Sequence, residues 1–130
     1  QIFRLQAKML QEPAEMPEPV HFFAPGMYLR RLVVPAGMLI VGKTHRHDHF
    51  LIVTTGRALV ISEFGRDEVM TGHVSVSKAG VKRAVLALED TDFLTVHVNA
   101  TDSQDLEVIE AEHIVPDTPE LEAAIRGMLQ

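Results

Sequence analysis

The sequence of 130 residues predicts an all-β sandwich or small barrel, and the evidence lies in residues 20–99. Short segments rich in valine, isoleucine, leucine and threonine follow one another there, as strands require. Turn-forming residues separate these segments roughly every 8–12 positions, which is typical of sandwiches and barrels. No helical period lies between the segments, and this disfavours a parallel sheet built from alternating strands and helices.

Eight strands are predicted, each ended by a turn signal. Residues 35–37, Pro-Ala-Gly, make the turn between the first two strands. Gly56 marks a hairpin-like junction between the third and fourth, and residues 63–66 make the next turn because Gly65 tolerates a positive φ. The predicted strands are Tyr28–Val34, Met38–Lys43, Phe50–Thr54, Arg57–Ser62, Val69–Met70, His73–Ser77, Arg83–Leu88 and Asp92–Val98.

An N-terminal arm, residues 1–19, is predicted to precede the β-rich core of residues 20–99. Apolar residues within positions 1–12 have the spacing of a short amphipathic helix, and the prolines after it impose a stiff, extended connection. A helix this short is marginal in isolation, so we expect its apolar face to lie against the same subunit or a neighbour. These residues are Ile2, Leu5, Met9 and Leu10, followed by Pro13, Pro17 and Pro19.

Residues 100–130 are predicted to form an acidic C-terminal extension. Its first part, residues 102–112, is interpreted as a helix or an edge strand. Thr118, Pro119 and Glu120 combine a capping hydroxyl, a proline at the first helical position and an acid in the first turn, which predicts the start of a terminal helix. The apolar face of that helix consists of Leu121, Ile125, Met128 and Leu129.

Composition excludes several classes of function. A net charge of −6 without a basic stripe disfavours nucleic acid, and the absence of cysteine excludes disulfides and thiolate chemistry. No apolar run approaches the roughly 18 residues of a membrane helix, so no membrane partner is expected. The chain begins at Gln1; we interpret it as processed or incompletely represented, and as a soluble protein made in the cytosol.

The most informative segment runs from Gly42 to His49. It contains three of the seven histidines at alternate positions, His45, His47 and His49. Alternate side chains of a strand share a face, so these imidazoles can converge on one point. Convergent neutral imidazoles typically bind zinc, iron, nickel or manganese.

This segment, together with Gly56, resembles the first motif of the cupins, which are small double-stranded jelly rolls. The motif contains a glycine, two histidines one residue apart, a glutamate, and a glycine seven residues after the glutamate. When Gly56 is taken as that last glycine, His49 stands at the glutamate position and His45 at the second histidine. Lys43 then occupies the position of the first histidine.

The first motif can also be aligned in another way, and the cupins have a second motif that can be compared with this chain. Pairing His45 with His47 leaves Leu51 at the glutamate position and makes the spacing two residues short. The second motif keeps Gly80, but Arg83 replaces the fourth ligand, and a guanidinium cannot bind a metal. The resemblance implies an all-β, cupin-like jelly roll with an N-terminal arm and short helical segments at both termini.

A wider resemblance, over residues 19–110, is to the small single-domain cupins encoded by tailed bacteriophages. It implies a virion-associated structural protein, as a head decoration, neck, tail or fibre component, assembled in the host cytoplasm. The expected partners are other virion proteins and further copies of the chain, in a dimer or trimer that associates through its termini. The segments that carry this resemblance are residues 19–28, 35–45, 80–84 and 89–91.

A three-histidine metal site is predicted from His45, His49 and His97, with His47 as the substitute for a third ligand. Asp48 is expected to orient an imidazole by accepting a hydrogen bond. The alternative is a metal-free polar lining of the barrel mouth.

The orientation of His97 is also open. Leu94, Val96 and Val98 share the opposite face of its strand. If that aliphatic face is the core, His97 points to solvent or to a subunit contact.

Basic residues suggest a second kind of site. Arg83 and Lys82, beside Lys43, are predicted either to bind a carboxylate or phosphate or to form ion pairs with acidic residues. The predicted ion-pair acids are Glu63, Glu89 and Asp90.

Three functions follow from these features. The first is the virion structural role. The second is a metal-dependent enzyme, such as an isomerase or oxygenase, acting on a small molecule. The third is a ligand-binding or sugar-binding module in which Tyr28 stacks on the ligand, although an aromatic content of 5% disfavours carbohydrate.

Overall fold

The structure, a computed structural model, describes residues 17–120, 123, 126 and 127. Within these residues the chain forms eleven strands, with a helix between the tenth and the eleventh. The strands are β1 Val20–Ala24, β2 Met27–Val34, β3 Leu39–Val41, β4 Thr44–His45, β5 His49–Thr55, β6 Arg57–Ser62, β7 Gly65–Met70, β8 Val74–Ser77, β9 Ala84–Ala87, β10 Thr91–Val98 and β11 Ile114–Val115, and the helix is α1 Leu106–His113.

Antiparallel pairing arranges these strands in two main sheets. One has five strands in the order β1-β2-β10-β5-β8, and the other has four in the order β3-β9-β6-β7. The short strands β4 and β11 pair with each other at one end. Apolar side chains from the two sheets pack between them, as in other sandwiches. The predicted all-β class is confirmed.

The junction at Gly56 differs from the prediction. β5 pairs with β8 and β10, whereas β6 pairs with β7 and β9, so the two strands flanking Gly56 belong to different sheets. Gly56 is therefore the point where the chain crosses from one sheet to the other, and the predicted hairpin-like junction is wrong. A hairpin and a crossing between sheets both give two strands that flank a glycine, so the sequence pattern does not distinguish them.

Two apolar clusters lie on opposite faces of the four-stranded sheet, and the larger one lies between the two sheets. In the larger one, side chains from both sheets meet, and Val53, Val34 and Ala58 are almost fully buried. The smaller cluster is formed by Leu39, Ile61, Ala84 and Leu86 of the four-stranded sheet. The full larger cluster is Leu32, Val34, Val53, Ala58, Val69, Ala87 and Phe93.

The C-terminal extension packs against the sandwich. Asp105 caps α1 by accepting a hydrogen bond from the N–H of Glu107, and Ile109 is buried, so the helix interpretation of this segment is confirmed over the edge strand. Pro119 and Glu120 are helical. The predicted N-terminal helix and the predicted apolar face of the terminal helix lie outside the described residues. No helix among the described residues is long and apolar enough to cross a membrane.

The outer face of the five-stranded sheet is apolar and exposed. Phe50 lies on this face, opposite Val96 on one side and Val76 on the other. The charged residues on this outer face, Arg31 and Asp92, form an ion pair of 2.8 Å with each other. The large apolar residues that are roughly half exposed here are Val20, Phe22, Met27, Val33, Phe50, Val74, Val76 and Val98.

Candidate metal centre

Three histidine rings from three different strands meet inside the sandwich. His45 ends β4, His49 begins β5 and His97 lies in β10. The ring centroids of His45 and His49 are 4.3 Å apart, and that of His97 lies 5.2 Å from the first and 4.6 Å from the second. One ring nitrogen from each lies within 4.8 Å of the other two. The structure thus brings together the three histidines that were predicted as ligands.

Backbone pairing positions the first two rings. Ile114 of β11 lies opposite His45, and the N–H of Gly80 donates to the His45 carbonyl at 2.9 Å. His49 lies opposite Ser77 in the pairing of β5 with β8. These contacts hold both ends of the short connection between the two histidines, so their side chains face the same interior space.

Neighbouring side chains orient the third ring. His97 is only 7% exposed and lies opposite Tyr28 on β2, with the two rings stacked at 5.5 Å. Its Nε2 is 2.8 Å from the hydroxyl oxygen of Thr95. A hydrogen bond of this kind fixes the orientation of an imidazole that binds a metal.

The three imidazoles are neutral at neutral pH. Burial, followed by the nearby His49 and His113, lowers the pKa of His45 to about 4. Burial, followed by His49 and His45, lowers the pKa of His97 to about 3. Burial also lowers the pKa of His49. Neutral imidazole is the form that coordinates a metal ion.

Buried ring nitrogens show whether a metal fits these residues. Nδ1 of His45 and Nδ1 of His49 are buried without a hydrogen-bond partner among the described residues, which costs free energy unless another group binds them. Three neutral imidazoles match the preferences of zinc, iron, nickel or manganese. The residues present fit a divalent transition metal.

Two further residues of the predicted site lie outside this group. His47 is exposed, and its ring packs edge-on against that of His113 at 5.5 Å. Asp48 is also exposed and accepts hydrogen bonds from the N–H of Ala79 at 2.8 Å and from Lys78 at 3.4 Å. The structure corrects both roles, because the bend between β4 and β5 directs the two side chains to the surface.

The predicted alternative for His97, in which it faces solvent, is also corrected. Phe93 and His97 are buried on the inner face of β10, at 6% and 7% exposure. Val98, on the opposite face, is 59% exposed. The aliphatic face of β10 is therefore the outside of the five-stranded sheet.

The histidine group faces a cavity of about 490 Å³ between the two sheets. This is within the range of roughly 300–1,000 Å³ that is usual for small-molecule sites. Helix α1 and β11 line part of it, so the C-terminal extension helps to enclose the site. Apolar lining side chains include Leu32, Val34, Leu51, Val60, Val85 and Phe93.

Two of the three basic residues in the predicted anion site have carboxylate partners. Lys82 is 8% exposed and pairs with Asp117 at 2.6 Å. Lys43 lines the cavity and pairs with Glu110 of α1. These partners come from the C-terminal extension rather than from the acidic residues that were predicted.

Arg83 faces the same cavity without an ion-pair partner among the described residues. Its Nη1 donates to the carbonyl oxygens of Val81 at 3.2 Å and Lys78 at 3.4 Å. Burial lowers its pKa from the ordinary value. Arg30 of β2, which was not predicted as a site residue, lines the cavity as well.

Sequence interpretation also missed two histidines in the cavity. His113, the last residue of α1, is 7% exposed, and its Nε2 is buried without a partner among the described residues. Its ring centroid lies 6.2 Å from that of His97. His21 of β1 lines the cavity and has Nδ1 2.5 Å from the hydroxyl of Tyr28.

Comparison with known proteins decides the fold. No protein-family model and no curated protein matches the chain, whereas many solved structures do. A cupin-2 domain protein from Shewanella frigidimarina is 14% identical, with a TM-score of 0.56, over 72% of this chain and 91% of its own. KdgF from Halomonas sp. is 19% identical, with a TM-score of 0.57, over 74% and 86%. The fold is that of a cupin.

A third match is salicylate 1,2-dioxygenase from Pseudaminobacter salicylatoxidans. It is 12% identical, with a TM-score of 0.60, over 86% of this chain but only 34% of the dioxygenase. At these identities the likeness establishes the cupin fold and leaves function to the site itself. None of the three structures is named as a phage or virion protein, so the comparisons support the cupin part of the predicted resemblance and not the phage origin.

Proposed function

We propose that this cupin binds a divalent transition metal and acts on a small molecule in its internal cavity. The observation that carries the proposal is the group formed by His45, His49 and His97 on the wall of a cavity of about 490 Å³. Neutral, buried ring nitrogens without a hydrogen-bond partner among the described residues are costly to a metal-free sandwich. A bound ion removes that cost.

The residues around the site have separate tasks in this proposal. The three histidines hold the ion, and Thr95 orients the ring of His97. A metal held there would supply Lewis-acid chemistry for the bound molecule. The apolar walls exclude water from the space beside the histidines.

Metal content tests the proposal directly. We expect the chain, purified without chelators and then offered zinc, iron, nickel or manganese in turn, to retain about one equivalent of one of them. His97→Ala should reduce retention to less than about a tenth of an equivalent. His73→Ala is the matched control, because His73 bonds Ser75 at 2.8 Å outside the histidine group, and it should retain metal like the wild type.

Elemental analysis after gel filtration measures retention, and circular dichroism checks that each variant is folded. A wild-type protein that retains less than about a tenth of an equivalent of all four metals contradicts the proposal. Equal retention by His97→Ala and His73→Ala places the metal elsewhere.

The virion structural role stays a prediction from the resemblance. Copurification of the chain with assembled particles tests it. The neutral histidine group and the cavity favour the metal-dependent role, because a purely structural module does not need either feature.

We also propose that two copies of the chain associate through the outer face of the five-stranded sheet. This face presents large, half-exposed apolar side chains, and contiguous patches of this kind mark interaction sites. Its one ion pair, Arg31 with Asp92, is internally neutral in a chain of net charge −6. Two such faces can therefore meet around a two-fold axis without charge repulsion. This surface differs from the termini that were predicted to mediate association.

Sedimentation velocity over a range of concentrations tests this association. We expect the wild type to be a dimer and Phe50→Glu, between Val96 and Val76 on this face, to weaken dimerisation at least about tenfold. Phe64→Glu is the control, because Phe64 is 79% exposed in the turn between β6 and β7 of the other sheet. A monomeric wild type, or equal effects of the two variants, contradicts the proposal.

A further inference from the structure

We propose that the cavity binds a small organic carboxylate, with the carboxylate held by Arg30 and Arg83 and an apolar body lying along the sheet walls. This inference deepens the proposed function, since it names the class of molecule placed beside the histidines. The observation behind it is that two arginines lining the cavity have no carboxylate partner among the described residues.

The cations of the described chain differ in whether a carboxylate pairs with them. Arg31, Arg57, Lys43 and Lys82 each have a carboxylate partner. Arg30 and Arg83, which line the cavity, have none among the described residues. The chain has 18 acidic residues, so carboxylates are plentiful. Arg46 and Arg66 also lack a carboxylate partner among the described residues, but both are exposed to water, whereas Arg30 and Arg83 are only partly exposed and line the cavity.

Arg30 lies close to the histidine group. It is on the inner face of β2, where its residue partner across the sheet is Thr95, the residue that holds the ring of His97. Its positive charge is among the causes that lower the pKa of His45 and of His97. Arg30 therefore presents its charge to the space beside the predicted metal ligands.

Arg83 reaches the histidine group from the opposite sheet. It directly precedes β9, and its carbonyl accepts a hydrogen bond from the N–H of Gly42 at 2.8 Å. Two backbone carbonyls hold one end of its guanidinium. Its charge is among the causes that lower the pKa of His45 and of His49. At the position where cupins of the resembled type carry a fourth metal ligand, this chain therefore carries an anion-binding group.

A charged guanidinium that faces a largely apolar cavity is unfavourable unless an anion compensates it. A carboxylate is the matching anion, because its two oxygens fit the planar fork of arginine. Phosphate esters carry more charge and are usually bound by several backbone N–H groups, whereas the remaining walls here are mostly aliphatic or aromatic. The combination indicates a carboxylate with an apolar body.

Binding of matched acids and amides tests this inference. The probes are benzoate, 3-phenylpropionate and octanoate, their uncharged amides, and phenyl phosphate, each titrated calorimetrically into the 130-residue chain. We expect at least one carboxylate to bind at least about tenfold more tightly than its amide, because charge-assisted hydrogen bonds are lost in the amide. Arg30→Gln and Arg83→Gln should each weaken carboxylate binding about tenfold or more. Arg66→Gln, exposed on β7, removes the same charge and should leave binding unchanged.

Several outcomes overturn the inference. They are the absence of binding by every carboxylate at millimolar concentration, equal binding of acids and amides, wild-type affinity in both cavity variants, and a preference for phenyl phosphate. Titrations with chelator-treated protein and with zinc-loaded protein separate this inference from the proposed function. Metal retention without carboxylate binding defeats only the inference. Carboxylate binding by a chain that retains no metal defeats only the metal proposal.

Discussion

Replacing Gly56 by alanine is expected to destabilise the fold by about 4 kcal/mol, from backbone strain and overpacking together. Gly56 has a φ of +102° at the crossing between the two sheets. A Cβ atom added there would lie 2.3 Å from the carbonyl oxygen of Asp90 and 2.7 Å from the Cα of Thr91. Both are backbone atoms, so neither can move aside as a flexible side chain does.

The surroundings of Gly56 make relief difficult. Its N–H donates to the hydroxyl of Thr71 at 3.0 Å, and its carbonyl accepts from the N–H of the same residue at 3.0 Å. Thr91, on the other side, is fully buried and bonds the backbone of Arg57. A shift of Gly56 would break these contacts, because they connect the crossing to both sheets.

Gly72→Ala is the matched control for this prediction. Gly72 has a similar φ of +90°, but no atom lies within 4 Å of an added Cβ. We therefore expect only the strain of a left-handed alanine there, about 1–2 kcal/mol. Urea denaturation of both variants measures the difference. Equal losses of stability would contradict the close approach at Gly56. Failure of Gly56→Ala to fold, beside a folded Gly72→Ala, would agree with it.

The local part of the site was predictable from sequence. Gly56 defined a frame in which His45 and His49 are ligands, and the structure places their rings 4.3 Å apart. These residues are only four positions apart, and the Gly56 frame selected them; simple strand alternation also placed His47 on the same face, which the bend between β4 and β5 prevents. The turn signals located the strands, since turn chemistry is local.

The distant part of the site was not predictable. Arg30 and His113 reach the cavity only through the pairing of β2 with β10 and the packing of α1, and no local pattern encodes either. The direction of His97 was ambiguous because both faces of β10 carry apolar residues. The outer aliphatic face of that strand resembles a core face. This is the same feature that supports the proposed association between subunits.

Acidification of the metal-free protein from pH 7 to pH 5 is expected to reduce the free energy of unfolding by on the order of 3 kcal/mol. His45 and His97 have pKa values of about 4 and about 3 in the folded chain, against about 6.5 in an unfolded one. Between these values the unfolded chain binds protons that the folded chain does not. Stability is therefore fully present above pH 6.5 and falls as the pH decreases toward 4.

Other groups add to this change or lie outside its window. Burial also lowers the pKa of His21, His49 and His113, so their contributions have the same sign. The pKa of the Asp92 carboxyl is lowered mainly by its hydrogen bond with Arg31. The stability that this carboxylate contributes is lost only as the pH falls below about 4, the ordinary pKa of an aspartate. The change between pH 7 and pH 5 is therefore assigned to the histidines.

Urea denaturation of chelator-treated protein at the two pH values measures this effect. His97→Gln should remove roughly half of the change assigned to the two most shifted histidines, because glutamine does not titrate. His73→Gln should leave it intact, since His73 lies outside the histidine group. Zinc should reduce the loss at pH 5, since a metal ion competes with protons for the same ring nitrogens. Equal or higher stability at pH 5 than at pH 7 would mean that the rings are accessible to protons in the folded state. Such rings would not form a dry, neutral metal-binding group inside the sandwich.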